Sequence, residues 1–248
     1  MPNYVKNLVK MKGIVDLPLF REVDGVKHFD FNKVIPMPEE LHVEDGSMTD
    51  MCIVYFLTER CSIPISQLGK KETELVNALV SNMFSSDWPA EVFRRMREQM
   101  RGASEEKKEA AYEGGRRYVS NYEKYGCTTW YGWSNRNWGT KWNACDTKIL
   151  DNDSIMFDTA WSNPEPVMEE LGEMYPNVKI EHWWADEDVG HNTGHRVMLN
   201  GGSDVHYYDG DGDAYSIYTK LWGESNCVYL DENGIMQHRD CENCNGCD

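Results

Sequence analysis

Residues 147–184 read TKILDNDSIMFDTAWSNPEPVMEELGEMYPNVKIEHWW, and the order of signals within them decides the fold. Thr147 to Leu150 and Ile155 to Trp161 flank Asp151-Asn152-Asp153, turn-forming residues that predict an antiparallel hairpin. Pro164 and Pro166 suit the opening turn of a helix, and Val167 to Tyr175 continue it with Leu171, Met174 and Tyr175 on its apolar side. Pro176-Asn177 then stops the helix, and Val178 to Trp184 resume the two-residue period of a strand. Hairpin, helix and strand together make the second half of a split βαββαβ unit.

Working outward, the first half must supply one strand and a crossover. Asn3 to Ile14 scatters apolar residues among lysines and predicts a half-exposed strand. A turn at Asp24-Gly25 leads into residues 28–41, which Pro36 and Pro38 hold extended and irregular. Helices are predicted from Ser47 through Glu59, from Lys70 to Met83, from the Asp87-Trp88-Pro89 start to Arg101, and from Ser104 to Gly126, the last weakened by Gly114-Gly115. Trp130, Trp133 and Trp138 fit one face of a further helical stretch. Beyond Trp184, strands are expected at His195 to Leu199, Val205 to Tyr208, Tyr215 to Trp222 and Cys227 to Leu230. The fold class is therefore α+β: a ferredoxin-like split βαββαβ domain over residues 1–190, with a helical insertion at about 47–138 in its first crossover. An acidic β extension over 191–236 and a Cys-rich tail over 237–248 follow.

A chain of 248 residues with 40% hydrophobic and 12% aromatic content can bury a core, which excludes a wholly disordered protein. Its apolar runs fall short of the roughly 18 residues a membrane helix needs, and the amino terminus alternates where a signal peptide would be continuously apolar, so a cytoplasmic protein is expected. Eight cysteines are too sparse for a disulfide scaffold, and no bridge is predicted. Charge is the uneven quantity. Residues 1–145 hold 20 basic and 20 acidic residues, whereas residues 146–248 hold 5 and 22, so the whole net charge of −17 lies in the second segment. Such a surface repels phosphate and attracts a basic protein surface or a cation, unless its acidity serves solubility alone. Asp186-Glu187-Asp188 and Asp209, Asp211 and Asp213, expected in an acidic loop and a hairpin turn, are the candidate partner-binding residues.

Three motifs carry a resemblance: FDFNKVIPMPEEL at Phe29 to Leu41, WGTKWN at Trp138 to Asn143, and FDTAWSNP at Phe157 to Pro164. In this order they resemble the YubB-like proteins of phages, plasmids and other mobile elements. The resemblance implies a ferredoxin-like fold, and it brings neither an established activity nor catalytic residues. Trp138 and Trp142 suit either a helix-to-strand corner that packs two large rings or a shallow groove for a partner.

His238, Cys241, Cys244 and Cys247 recur every three residues in a polar, glycine-containing tail, a spacing that could bring one imidazole and three thiolates around a tetrahedral zinc ion. An iron–sulfur cluster would need Cys227 as a fourth thiolate, and a tail of reduced thiols is the bland alternative. His191 and His195 have the spacing of a helical zinc pair without its glutamate, and Gly194 disfavours the helix. Asp209 to Asp213 resembles the start of a calcium loop, but Ala214 and Lys220 stand where the turn glycine and closing glutamate belong. With no phosphate loop, nucleophile elbow or kinase set in the sequence, the expectation is a non-enzymatic interaction protein. Its acidic C-terminal surface would take a protein partner with a basic face, as a nucleic-acid mimic inhibiting a host-defence or nucleic-acid-handling factor. The alternative is a nucleic-acid-binding module built on the sheet. The basic run Arg94, Arg95, Arg97 and Arg101 is the one stretch suited to such contact, though Glu91, Glu98, Glu105 and Glu106 dilute it.

Overall fold

The computed structural model describes residues 3–80, 85–225 and 227–239. Two compact units are formed, one from residues 1–36 with 134–248 and the other from residues 37–133. In chain order the elements are β1 (Tyr4–Met11), β2 (Phe20–Val23), β3 (Val26–Phe29), α1 (Thr49–Leu57), α2 (Lys70–Leu79), α3 (Trp88–Met100), α4 (Glu105–Tyr125) and α5 (Trp130–Asn137). They continue with β4 (Cys145–Asp151), β5 (Ser154–Ala160), α6 (Glu165–Met174), β6 (Ile180–Asp186), β7 (Thr193–Leu199), β8 (Gly202–Tyr208), α7 (Gly212–Trp222), β9 (Val228–Leu230) and β10 (Met236–His238). Among the described residues no helix is long and apolar enough to cross a membrane.

The first unit is an α+β body around a six-stranded sheet of order β4-β5-β1-β6-β7-β8, with every neighbouring pair antiparallel. The β2–β3 hairpin turns at Asp24 and Gly25, whose φ values of 52° and 76° supply the two left-handed residues of a tight turn. It delivers Phe29 and, after it, Phe31 to a cluster with Phe157 and Trp138, ring centroids 5.1–5.9 Å apart. Residues 20–29, expected to hold only a turn before an irregular segment, therefore form a paired hairpin.

β1 is central and half-exposed as expected: Val5, Asn7, Val9 and Met11 are buried on one face, while on the other Leu8 alone is buried and Lys10 is exposed. What covers Leu8 is α7. Tyr215 to Trp222, expected as a strand, belongs to this helix: the Asp211 carboxylate accepts from the Ala214 N–H at 2.8 Å and caps its start. Ile217, Tyr218, Leu221 and Trp222 recur at helical spacing and pack on Leu8 and Ala185, covering the sheet face opposite α6. Gly194 on β7 is required by packing, since a Cβ there would lie 2.1 Å from the Trp184 ring.

The second unit is helical. Ile53, Val54 and Leu57 of α1 meet Val76 of α2, Val92 and Met96 of α3 and Val119 of α4 in an apolar core. Gly115, read from sequence as a weak point in α4, is what lets α4 cross α1 closely: a Cβ there would stand 2.0 Å from the Cys52 carbonyl oxygen.

Candidate functional site

β6 ends at Asp186 and β8 at Tyr208, so antiparallel pairing through β7 brings the loops after both strands to one end of the sheet. The Gly210 N–H donates to the Gly190 carbonyl at 3.0 Å, and His191 Nδ1 lies 3.0 Å from an Asp209 carboxylate oxygen. Two acidic loops far apart in sequence thus become one edge.

The six predicted carboxylates divide in role. Asp186 is buried and accepts from the Asp188 N–H at 3.0 Å and from the Asn192 amide at 3.4 Å, shaping its loop. Asp211 caps α7. Glu187, Asp188, Asp209 and Asp213 remain exposed, with His191 as the basic side chain paired among them. Residues 186–213 contain seven acidic residues and one arginine, Arg196, whose buried guanidinium is committed to Glu165 and to Glu169, the latter at 3.5 Å. The edge therefore keeps its negative charge. Its field reaches α7: burial first, then Tyr215 and the carboxylates of Asp188 and Glu187, hold the Tyr218 phenol above its ordinary pKa.

Trp138 does not join this edge. It is buried, and its indole N–H donates to the Ile35 carbonyl at 2.9 Å, which is the corner-packing alternative. Trp142 is half-buried with the Lys141 ammonium 4.6 Å from its ring, and the same ammonium lies 4.7 Å from Trp161. Trp161, which sequence reasoning passed over, is 43% exposed, and its carbonyl accepts from the Asn192 side chain beside the acidic loop at 3.0 Å. Its signal was the residue after a strand end followed by Ser-Asn-Pro, too common a pattern to single out.

The opposite sheet face, which a nucleic-acid platform would need, is occupied. Trp183 stacks on His195 with centroids 4.6 Å apart, the Lys220 ammonium sits 3.2 Å from its ring, and Lys6 lies 3.7 Å from Trp222. His191 and His195 are likewise apart in role, one at the acidic edge and one on a strand.

His238 ends β10, whereas Cys241, Cys244 and Cys247 lie outside the described residues. Among the described residues no group of three or more His, Cys, Asp or Glu side chains is placed to hold a metal ion. Cys227 is disulfide-bonded, contrary to the expectation of no bridge: a thiol brought near a second one by folding can pair however sparse the cysteines are along the chain. Cys52, Cys61 and Cys145 are free thiols.

Residues 137–230 match the family described as the ferredoxin-like domain in Api92-like protein. That span runs from the end of α5 to β9 and contains the whole acidic edge. The crystal structure of the protein api92 from Yersinia pseudotuberculosis is similar at 12% identity and a TM-score of 0.32, covering 84% of this chain and 99% of that one. No curated protein matches. The expected resemblance to YubB-like proteins thus gives way to a match with Api92-like proteins, and the ferredoxin-like domain is the part of that expectation the match supports.

Proposed function

We propose that this is a non-enzymatic interaction protein whose acidic edge binds a protein partner through a basic surface. The observation that supports it is the gathering of Glu187, Asp188, Asp209 and Asp213 at one end of the sheet, with the one arginine of residues 186–213 buried and already paired. Carboxylates held on short loops at strand ends and in the first turn of α7 form a pre-arranged negative array. Long-range attraction to a basic face then speeds encounter and selects the partner's charge, and it weakens as salt screens it. A protein that itself handles nucleic acid, such as a host-defence factor met by a mobile-element protein, presents the surface this array complements. We read β1, β4, β5 and β6 as the split βαββαβ unit that carries the edge; the order β4-β5-β1-β6 supports that reading. The engaged faces of Trp183 and Trp222 favour a protein partner over direct nucleic-acid binding.

The test is capture of host-lysate proteins at low and high salt by the natural chain and by a variant carrying Glu187→Gln, Asp188→Asn, Asp209→Asn and Asp213→Asn. A basic protein retained at low salt by the natural chain and lost with the variant is expected. Recovery of no basic protein at either salt, or of the same proteins by both chains, overturns the proposal.

A further inference from the structure

The helical unit holds a second charged feature, of opposite sign. A recess of about 470 Å³ opens between the end of α1, the end of α3 and the start of α4. Four cations line it, Arg60, Arg97, Arg101 and Lys108, with Glu105 as the acidic residue among the lining. Glu105 pairs with Lys108 at 2.7 Å, and Arg60 pairs with Glu109. Two cations of the four remain after these two pairs, Arg97 and Arg101.

Helix α3 shows that this is a matter of placement. Its Arg94 and Arg95 are neutralised along the helix by Glu98 at 3.2 Å and by Glu91. Arg97 and Arg101 lie four residues apart, on the side that faces the recess, and among the described residues neither side chain has a hydrogen bond or ion pair. Like charges at that spacing repel one another. The other side chains that border them add no negative charge at neutral pH: burial holds both the Tyr55 phenol and the Cys61 thiol above their ordinary pKa values.

The third wall comes at a conformational cost. Glu59, Arg60 and Cys61 are three consecutive non-glycine residues with left-handed backbone, φ 47°, 64° and 62°. Buried Thr58 fixes this turn: its hydroxyl donates to the Val54 carbonyl at 2.6 Å and accepts from the Cys61 N–H at 3.2 Å, while the Arg60 N–H donates to the Tyr55 carbonyl at 2.7 Å. The strained turn brings Arg60 and Cys61 to the border of the recess.

We infer that this recess is a binding site for a small phosphate-bearing molecule carrying at least two negative charges. Two unpaired guanidinium groups one helical turn apart can each fork onto phosphate oxygens, Arg60 and Lys108 border the same space, and the volume lies within the range of small-ligand sites. A bound polyanion would relieve the repulsion between Arg97 and Arg101.

Calorimetric titration of the full chain with inorganic pyrophosphate and, separately, with ATP tests this. Saturable one-site binding is expected, weakened about tenfold or more in Arg97→Gln/Arg101→Gln and unchanged in the same-helix control Arg94→Gln/Arg95→Gln. Tighter binding of ATP would identify a nucleotide as the source of the phosphates, and equal affinity the phosphate group alone; both support the site. Arg97→Lys/Arg101→Lys retains charge and loses the planar fork, so it should fall between the two, and it serves if the Gln pair folds poorly. No saturable binding of either ligand, or equal weakening by the control pair, overturns the inference.

Discussion

The two units are stabilised by differently composed interiors. In the helical unit the core cluster is apolar, from Ile53 and Val54 to Met96 and Val119. In the sheet unit a polar seam runs through the middle of the sheet. Asn7, Thr159, His182 and Arg196 are all fully buried. Asn7 donates to the Thr159 hydroxyl and to the Val5 carbonyl, both at 2.9 Å, which leaves its amide oxygen to accept from His182 Nε2–H at 2.9 Å. His182 Nδ1, Trp184 Nε1 and Arg196 Nε nonetheless make no hydrogen bond to protein, and among the described residues such buried unpaired atoms occur only in the sheet unit. An apolar core tolerates hydrophobic replacement of similar volume, whereas a polar seam penalises loss of any one member. The sheet unit should therefore be the more fragile toward single changes and toward acid.

The largest effect is expected where Arg196 loses its counter-charges. Glu165→Gln with Glu169→Gln leaves a buried guanidinium uncompensated, which should cost about 3–5 kcal/mol in denaturant unfolding and lower hydrogen-exchange protection in β6 and β7 before α1 and α4. Equal loss of protection in the two units would break the contrast.

Acid comes next. Burial, then the Arg196 and His195 charges, lowers the His182 pKa from 6.5 to about 3. The unfolded chain thus binds a proton that the folded chain refuses between those values. Stability from neutral His182 is complete above about pH 6.5 and is lost as pH falls toward 3, with a slope of up to about 1.4 kcal/mol per pH unit. A His182→Gln variant should flatten that slope; an unchanged pH profile would show that another group sets it.

In the helical unit, Gly115→Ala pits a gain in helix propensity against a clash with the Cys52 carbonyl, and a net loss of about 1–2 kcal/mol with no pH dependence is expected. A stabilised variant would mean that α1 and α4 can separate freely. The smallest effect belongs to the acidic edge: neutralising Glu187, Asp188, Asp209 and Asp213 should change stability by no more than about 0.5 kcal/mol, since these side chains are exposed. A large loss there would show that the carboxylates serve folding before binding.

Much of this was legible in the chain. The 147–184 pattern announces β4, β5, α6 and β6 within a few residues, because proline, turn residues and period act locally. α7 was misread: alternation over Tyr215 to Trp222 looks like a strand unless the Asp211 cap is given weight. The centrality of β1 was hidden for a related reason, since β6 and the helix that covers Leu8 both arrive from far downstream in the chain. For the site, the acidic residues were visible, but their division into a loop-shaping Asp186, a capping Asp211 and four exposed carboxylates was not.

The amino-acid sequence by itself determined the helices of residues 49–125, the hairpin and helix after residue 145, and the placement of the whole net charge of −17 in residues 146–248. Those properties follow from local periodicity and composition. Only the tertiary structure decided that loops after β6 and β8 share one edge, that Arg196 is buried beside His182, and that Arg97 and Arg101 face a recess with Arg60 and Lys108. Each of these joins residues distant along the chain, and such pairings are set by strand register and helix packing, which no single segment encodes.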